Sequence, residues 1–323
     1  MAIARPISRR HFLQLGSAGL LLPVVGWALR PSGPPPPSLR IGVIADLHHG
    51  LDPRAMERLE VFMQAVDTRK PEALLQLGDF NYGTPPSREC MDLWRQFQGP
   101  RYHVLGNHDM DFTTKDEMLE QWAMPARYYS FDLGGYHFVV LDRNNLKTAD
   151  GYVPYANANF YVDSTMRAHA DPEQLEWLQA DLASTPLPTV VFVHQGLGMQ
   201  HEPYPPGDAR GAVEAVFEHA NRDALKVVAC FCGHHHIDRY RLKKGIHYVW
   251  INSASYYWVG EAYGRMAPYK EALYTFLSFH PDGWIEVEGC RTQWDAPTPH
   301  ERGFPRAADL TPYISDRRLK IDR

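Results

Sequence analysis

The sequence predicts an α/β fold with a parallel β-sheet, and three observations lead to this prediction. Strand-like apolar runs at 39–45, 74–77 and 102–105 alternate with helical patterns at 53–68 and 87–97. A β-α-β-α-β order places parallel strands side by side through right-handed crossovers. The chain has 323 residues, enough for one large domain, and its 44% hydrophobic and 22% charged residues are ordinary for a globular protein.

Residues 1–30 are predicted to be a targeting segment rather than part of the fold. Residues 8–14 read Ser-Arg-Arg-His-Phe-Leu-Gln, which resembles the twin-arginine export signal, and an apolar stretch at 13–29 follows. The resemblance implies the twin-arginine translocation machinery as a partner and a periplasmic or extracellular location. The weak cleavage sequence Gly26-Trp27-Ala28 leaves a retained membrane tether as an open alternative.

A proline-rich linker at 31–38 is predicted to lead into one catalytic domain at 39–290, and residues 291–323 are predicted to be a polar C-terminal tail. Within the domain, Asp52-Pro53 and Asp171-Pro172 are typical helix starts. In both, the aspartate serves as N-cap and the proline occupies the first turn.

The middle of the domain is predicted to contain a hairpin and a functional loop. Runs of β-forming residues at 128–132 and 136–142 flank Leu133-Gly134-Gly135, which is a hairpin signature. The long segment 143–170 is rich in aromatic residues, and we expect it to form a rim over the active site. Further strands are expected at 189–193, 227–232, 248–252, 273–280 and 284–289.

Five of the strand-like runs end in side chains that can bind a metal through oxygen or nitrogen. Residues that follow the carboxyl ends of parallel strands converge in a crevice at the edge of the sheet. The donors are carboxylate, amide and imidazole groups without thiolates, which favours Mn, Fe or Zn. The candidates are Asp46, His48, Asp79, Asn107, His194, His234 and His236, with His108 and Asp109 beside Asn107.

The order of these residues resembles the motif set of the calcineurin-like metallophosphoesterase superfamily. The motifs are Asp-x-His, Gly-Asp, Gly-Asn-His-Asp, a lone His after a strand, and Gly-His-x-His, and they span residues 46–236. The resemblance implies a four-layer α/β sandwich, in which two mixed β-sheets are flanked by helices. It also implies metal-dependent hydrolysis of phosphoric esters.

The resemblance further assigns roles to the candidate residues. A hydroxide held between two divalent or trivalent ions would attack phosphorus. His108, oriented by Asp109, would stabilise the phosphoryl charge or protonate the leaving group. The two ligand sets, which share Asp79 as a bridge, are Asp46, His48, Asp79 and His236 for one ion and Asp79, Asn107, His194 and His234 for the other.

Two more residues near the ligands are interpreted as neighbours of the metals. His49 is adjacent to His48 and is a candidate for a group that supports the ligands. Tyr82 follows Asp79 with the Asp-x-x-Tyr spacing of the purple acid phosphatase branch, in which the tyrosine binds ferric iron. That branch lacks a histidine at the position of His48, so we expect Tyr82 to lie beside the site without binding metal. No motif indicates which residues bind the rest of the substrate.

The net charge argues against nucleic-acid binding, and the number of cysteines argues against a disulfide-stabilised fold. The formal net charge is −5, and removal of residues 1–28 would also remove three arginines. A protein this acidic is not expected to bind nucleic acid. Four cysteines are too few for a disulfide scaffold, although a Cys90–Cys290 bridge is left open.

These observations predict an exported dinuclear-metal phosphoesterase that acts on small phosphate mono- or diesters. A cyclic-nucleotide or glycerophosphodiester phosphodiesterase is the alternative enzyme, because the aromatic loops at 152–161 and 256–263 could stack a base. A non-catalytic binding module on the same fold is disfavoured, since every ligand position and His108 are filled.

Overall fold

Two six-stranded β-sheets dominate the part of the chain described by the computed structural model, which comprises residues 38–83, 87–199 and 209–321. The predicted targeting segment and nearly all of the linker lie outside these residues. Within them, no helix is long and apolar enough to cross a bilayer. The helices are α1 (Ala55–Arg69), α2 (Ser87–Trp94), α3 (Lys115–Trp122), α4 (Pro172–Ser184) and α5 (Ala212–Ala220).

The strands, in chain order, are β1 (Leu39–Ile44), β2 (Ala73–Gln76), β3 (Arg101–His103), β4 (Tyr129–Leu133), β5 (Tyr136–Leu141), β6 (Asn145–Thr148), β7 (Gly151–Pro154), β8 (Thr189–Val193), β9 (Val227–Cys232), β10 (Arg239–Lys243), β11 (Ile246–Trp250), β12 (Tyr256–Gly260), β13 (Arg265–Pro268), β14 (Thr275–His280), β15 (Trp284–Val287), β16 (Cys290–Arg291), β17 (Tyr313–Ile314) and β18 (Arg317–Lys320).

The first sheet, sheet I, has the strand order β18-β15-β14-β1-β2-β3. Strands β1, β2 and β3 are parallel, with Val43 opposite Leu75 and Leu75 opposite Tyr102. Strands β14, β15 and β18 run antiparallel to their neighbours. The parallel β-α-β-α-β start is therefore present as predicted, while the C-terminal part of the chain supplies the antiparallel half.

The second sheet, sheet II, has the strand order β10-β11-β9-β8-β5-β4. Its four central strands are parallel, and β4 and β10 are antiparallel edge strands. Strands β4 and β5 form the predicted hairpin. Gly134 and Gly135 have φ of 58° and 81° in its turn, a left-handed backbone conformation that favours glycine.

The alternation of side chains along the strands divides the core into three layers. Ile41 and Phe138 pack between the two sheets. Ile44 faces the layer formed by α1, α2 and α3 over sheet I, and Val139 faces α4 and α5 over sheet II. The order helix, sheet, sheet, helix is the predicted four-layer α/β sandwich.

The Asp-Pro pairs predict the starts of two helices, and the structure confirms one start and moves the other. Helix α4 begins as predicted, because Asp171 accepts the backbone N–H of Gln174. Helix α1 begins at Ala55, later than predicted. Oδ1 of Asp52 accepts the backbone N–H of Arg54 at 3.0 Å, and Oδ2 pairs with Nε of Arg58 at 2.6 Å.

The residues after 290 are not a separate tail, which corrects the predicted domain boundary. Strand β18 pairs with β15 at the edge of sheet I, and Leu319 joins the core between the sheets. Strand β18 has only one apolar residue among four, so the hydrophobic pattern gives no strand signal there. The cysteines, including Cys90 and Cys290, are free.

Candidate metal centre

The side chains predicted to bind metal come together beyond the carboxyl ends of β1, β2, β8 and β9. They form two clusters, and within each the donor atoms lie within 4.8 Å of one another. Cluster A contains Asp46, His48 and His236, and cluster B contains Asp79, His194 and His234.

Asp79 connects the two clusters. Its Oδ2 atom lies 3.1 Å from Nε2 of His194 in cluster B and 3.9 Å from Nε2 of His48 in cluster A. Its Oδ1 atom accepts the backbone N–H of His108 at 2.7 Å, which fixes the carboxylate. One oxygen thus faces both clusters, which is the position of a bridging ligand.

Two imidazoles are held with Nε2 facing the clusters. Nδ1 of His194 donates to the carbonyl of Leu77 at 2.7 Å, and Nδ1 of His236 donates to the carbonyl of Tyr256 at 2.6 Å. Such a hydrogen bond fixes the tautomer and leaves Nε2 as the metal-binding atom. Nε2 of His236 lies 3.1 Å from Nε2 of His48, so two imidazole nitrogens converge in cluster A.

Burial and charge set the protonation of the histidines. Burial holds the pKa of His48 and of His234 well below the ordinary histidine value, so both are neutral and able to bind metal. Burial also opposes the charged form of His194, but the Asp79 carboxylate raises the pKa of His194 to about 9. A metal ion in cluster B must therefore displace a proton from His194.

Asn107 provides an independent test of whether a metal fits. It follows β3, is 6% exposed, and its Oδ1 atom has no hydrogen-bond partner among the described residues. A buried amide oxygen is rarely left without a partner. Asn107 lines the same cavity as Asp79 and His234. Its orphaned oxygen and the carboxylate and imidazole donors around it fit a pair of metal ions.

The backbone at five of these residues is left-handed. Asp46, His48, Asp79, His234 and His236 have φ of 52°, 53°, 50°, 67° and 51°. This conformation is uncommon for residues other than glycine, costs about 1–2 kcal/mol per residue, and concentrates at functional sites.

Two buried serines stabilise the strained turn after β1. Ser253 Oγ donates to the carbonyl of Asp46 at 2.9 Å, and Ser255 Oγ donates to the carbonyl of Leu47 at 2.7 Å. Neither serine is predicted from the sequence, because a serine that hydrogen-bonds a backbone carbonyl has no characteristic motif.

His108 lies beside the clusters and is oriented by Asp111. Nδ1 of His108 is 2.8 Å from Oδ2 of Asp111. Burial disfavours the charged imidazole, but the carboxylates of Asp79 and Asp111 outweigh it and raise the pKa of His108. His108 is therefore a cation-forming group at the edge of the metal centre.

Asp109 does not orient His108, which corrects the sequence prediction. Its carboxylate accepts the backbone N–H groups of Gly106 at 2.7 Å, Phe80 at 2.7 Å, and Asp79 and Asn81 at 3.0 Å. It thereby ties the turn after β2 to the turn after β3. Residues 108–110 form a 3₁₀ turn, in which side chains three apart align, so Asp111 meets His108 instead.

The two predicted neighbours of the ligands differ in their contacts. The Tyr82 hydroxyl lies 3.4 Å from Nδ1 of His48, and burial raises the pKa of Tyr82, which favours a neutral hydroxyl beside the ligand. The backbone N–H of His49 donates to the carbonyl of Phe80, and its buried Nδ1 has no partner among the described residues.

A cavity of about 570 Å³ opens beside the clusters and has two further walls. One is the loop after β7, which includes Phe160 and Arg167 and belongs to the segment predicted as a rim. The other is the β12–β13 hairpin with Trp258. The Trp258 ring is roughly parallel to the His108 ring, with the two centroids 6.1 Å apart. The Phe160 ring is perpendicular to the His108 ring, with the two centroids 5.7 Å apart.

The chain is similar to known proteins in both sequence and fold. A family model described as calcineurin-like phosphoesterase matches residues 39–238. The manganese-dependent ADP-ribose/CDP-alcohol diphosphatase of Oryza sativa subsp. japonica is 25% identical to this chain over an alignment 316 residues long. The alignment covers 79% of this chain and 94% of the rice protein.

Two solved structures share the fold. A dimetal phosphatase from Danio rerio superposes with a TM-score of 0.59 at 14% identity, covering 88% of this chain and 100% of its own. GAP50, the anchor in the inner membrane complex of Plasmodium, superposes with a TM-score of 0.53 at 12% identity, covering 88% of this chain and 89% of its own.

Proposed function

Because this chain belongs to the calcineurin-like phosphoesterase family and is a metal-dependent phosphoric ester hydrolase, we propose that it cleaves the diphosphate bond of a nucleoside diphosphate linked to a sugar or an alcohol. One observation carries the proposal. Asp79 and His234 of cluster B line a cavity whose other walls include aromatic rings and two arginines.

The size and lining of the cavity match this substrate class. A volume of about 570 Å³ is within the ordinary range for small-molecule sites. Phe160, Tyr161 and Trp258 offer ring faces for a nucleobase, and Arg167 and Arg265 offer positive charge for phosphate oxygens. The similarity to the rice diphosphatase, which spans most of that protein, supports the same assignment.

The protein's own residues would hold and orient the reacting group. Asp46, His48, Asp79 and His236 would hold one metal ion, and Asp79, Asn107, His194 and His234 the other. When bound, the ions supply Lewis-acid stabilisation of the phosphoryl oxygens and activation of water. We propose manganese as the metal, because the relative is manganese-dependent and the donors are oxygen and imidazole.

His108 would act on the phosphoryl oxygens. With Nδ1 paired to Asp111, Nε2 is the nitrogen available to the substrate. A nucleotide leaving group is a weak base, so charge stabilisation by protonated His108 matters more than proton transfer to that group. The Asp111 contact holds the ring in one orientation while the bridging P–O bond breaks.

We further propose that the protein is exported through the twin-arginine pathway. The paired arginines and apolar stretch at 8–29 support this, as does the fit of that route to a protein that binds metal before export. Expression of the full chain with Arg9 and Arg10 changed to lysine should retain the protein inside the cell. Unaltered export of this variant would contradict the proposal.

The test of the substrate is steady-state turnover by the manganese-loaded protein. We expect kcat/KM for ADP-ribose or a CDP-alcohol to exceed that for p-nitrophenyl phosphate at least about tenfold, with nucleoside monophosphate as a product. An Asp79→Asn variant, which loses the bridging carboxylate, controls for contaminating hydrolases. A preference for cyclic AMP or a glycerophosphodiester would overturn the proposal in favour of a phosphodiesterase.

A further inference from the structure

The loop after β7 carries an arginine that lines the cavity. Arg167 is partly buried and lines the cavity together with His108 and Asp79. Among the described residues, its side chain makes no hydrogen bond or ion pair. Asp163 is near enough to feel its charge, but the Asp163 carboxylate accepts hydrogen bonds from Thr165. A partly buried cation without a partner is unfavourable, which points to an anionic ligand.

The backbone that presents Arg167 is fixed on its C-terminal side. The N–H of Ala168 donates to the Tyr155 hydroxyl at 2.8 Å. The N–H of His169 donates to the carbonyl of Asn145 at 3.2 Å, and Nδ2 of Asn145 returns a bond to the carbonyl of His169 at 3.0 Å. Such anchoring positions a binding residue before the ligand arrives.

The other arginine in the cavity wall already has partners. The guanidinium of Arg265 lies 5.4 Å from the centroid of the Trp258 ring, and its Nε is 3.6 Å from Oε1 of Glu261. Its charge is therefore partly compensated within the β12–β13 hairpin. Among the described residues, the Arg167 guanidinium has no such partner, so its positive charge is available to bind a ligand.

We propose that Arg167 binds the phosphoryl group of the substrate that is not attacked, and so makes the enzyme selective for two linked phosphates over one. This inference rests on the proposed function, which supplies the second phosphate. The attacked group would sit at the metal ligands and His108, and the second would accept paired hydrogen bonds from the planar guanidinium.

The first test is the ratio of kcat/KM for ADP-ribose to that for bis(p-nitrophenyl) phosphate, which has one phosphate. Arg167→Gln should lower this ratio about 10- to 100-fold, mainly through KM for ADP-ribose. Arg167→Lys should restore part of the ratio, because lysine keeps the positive charge. It should not restore all of it, because lysine lacks the planar guanidinium that donates paired hydrogen bonds. Arg88→Gln removes an exposed arginine of α2 outside the cavity and should keep the wild-type ratio. An unaltered ratio in Arg167→Gln, or equal losses on both substrates, would overturn the inference.

A second measurement separates this inference from the proposed function. Methylenediphosphonate and methylphosphonate are compared as inhibitors of bis(p-nitrophenyl) phosphate turnover at a fixed free manganese concentration. Arg167→Gln should weaken the diphosphonate about 10- to 100-fold and the monophosphonate less than about threefold. Failure to turn over ADP-ribose would contradict the proposed substrate. The difference between the two inhibitors would still test whether Arg167 binds a second phosphoryl group. Equal weakening of both inhibitors would defeat the role.

Discussion

His108 has two acidic neighbours in sequence, and the geometry of one turn decides which of them acts on it. Asp111 contacts Nδ1 of His108, and Asp109 holds backbone N–H groups. Asp111→Asn should lower kcat/KM about 10-fold or more. It should also move the alkaline limb of the pH profile to lower pH, because Asp79 remains but the second carboxylate that raises the pKa of His108 is gone. Asp109→Asn should instead reduce metal content and Tm while the position of that limb stays in place. A wild-type pH profile in Asp111→Asn would contradict the assignment.

The raised pKa of His194 makes metal binding depend on pH. Below about pH 9, His194 in the metal-free protein carries a proton that a metal ion bound there must displace. The apparent affinity should therefore rise about tenfold per pH unit between pH 7 and 9, and calorimetry in buffers of different ionisation enthalpy should detect about one proton released. His235→Gln, which changes a histidine outside the clusters, is the matched control. Binding without proton release at pH 7.5 would show that His194 in the metal-free protein does not carry that proton.

The turns after β2 and β3 pack too closely for a side chain at Gly106. A Cβ there would lie 2.1 Å from the backbone nitrogen of Asp79 and 2.3 Å from its Oδ1 atom. Gly106→Ala should displace the Asp79 carboxylate and lower kcat about 100-fold or more, with an unaltered circular dichroism spectrum. Gly303→Ala is the control for backbone strain away from the site, because its φ is 73° but its added Cβ meets no atom within 4 Å. Near-normal turnover and metal content in Gly106→Ala would refute the argument.

The β4–β5 hairpin is joined to α4 through a charged histidine. His137 lies between Asp132 (Nδ1–Oδ1 2.7 Å) and Asp181 (Nε2–Oδ2 2.8 Å). Burial opposes its charge, but the two carboxylates raise the pKa of His137. Since the folded pKa is the higher one, this stabilisation is complete below the unfolded value of about 6.5 and is lost as pH rises through the folded pKa.

The Tm difference between the wild-type protein and His137→Gln should therefore be larger at pH 6 than at pH 9. Both proteins are compared at equal metal concentration, so that pH effects on the metal centre cancel. A difference that stays constant or grows with pH would show that His137 is not charged in the fold.

At the scale of the whole molecule, the sequence predicts the parallel strands and the convergence of the ligands, because both follow from where apolar runs end. It does not predict β18 or the β12–β13 hairpin, whose charged and aromatic residues lack a clear period. It also cannot show contacts that use backbone atoms, such as the Tyr256 carbonyl at His236. The left-handed backbone at Asp46 and Asp79 cannot be predicted from the sequence either, because neither residue is a glycine.

Strand β1 lies between β2 and β14, and its two neighbours are made at very different times. Leu39 is opposite Phe279 in the antiparallel pair. A ribosome adds about 5–20 residues per second, so β14 emerges roughly 10–50 s after β1. During that interval β1 has one open edge, which is a site for chaperone binding or mispairing. A nascent chain that has reached residue 238 holds every predicted metal ligand, yet it still lacks β14, β15 and β18, half of its first sheet.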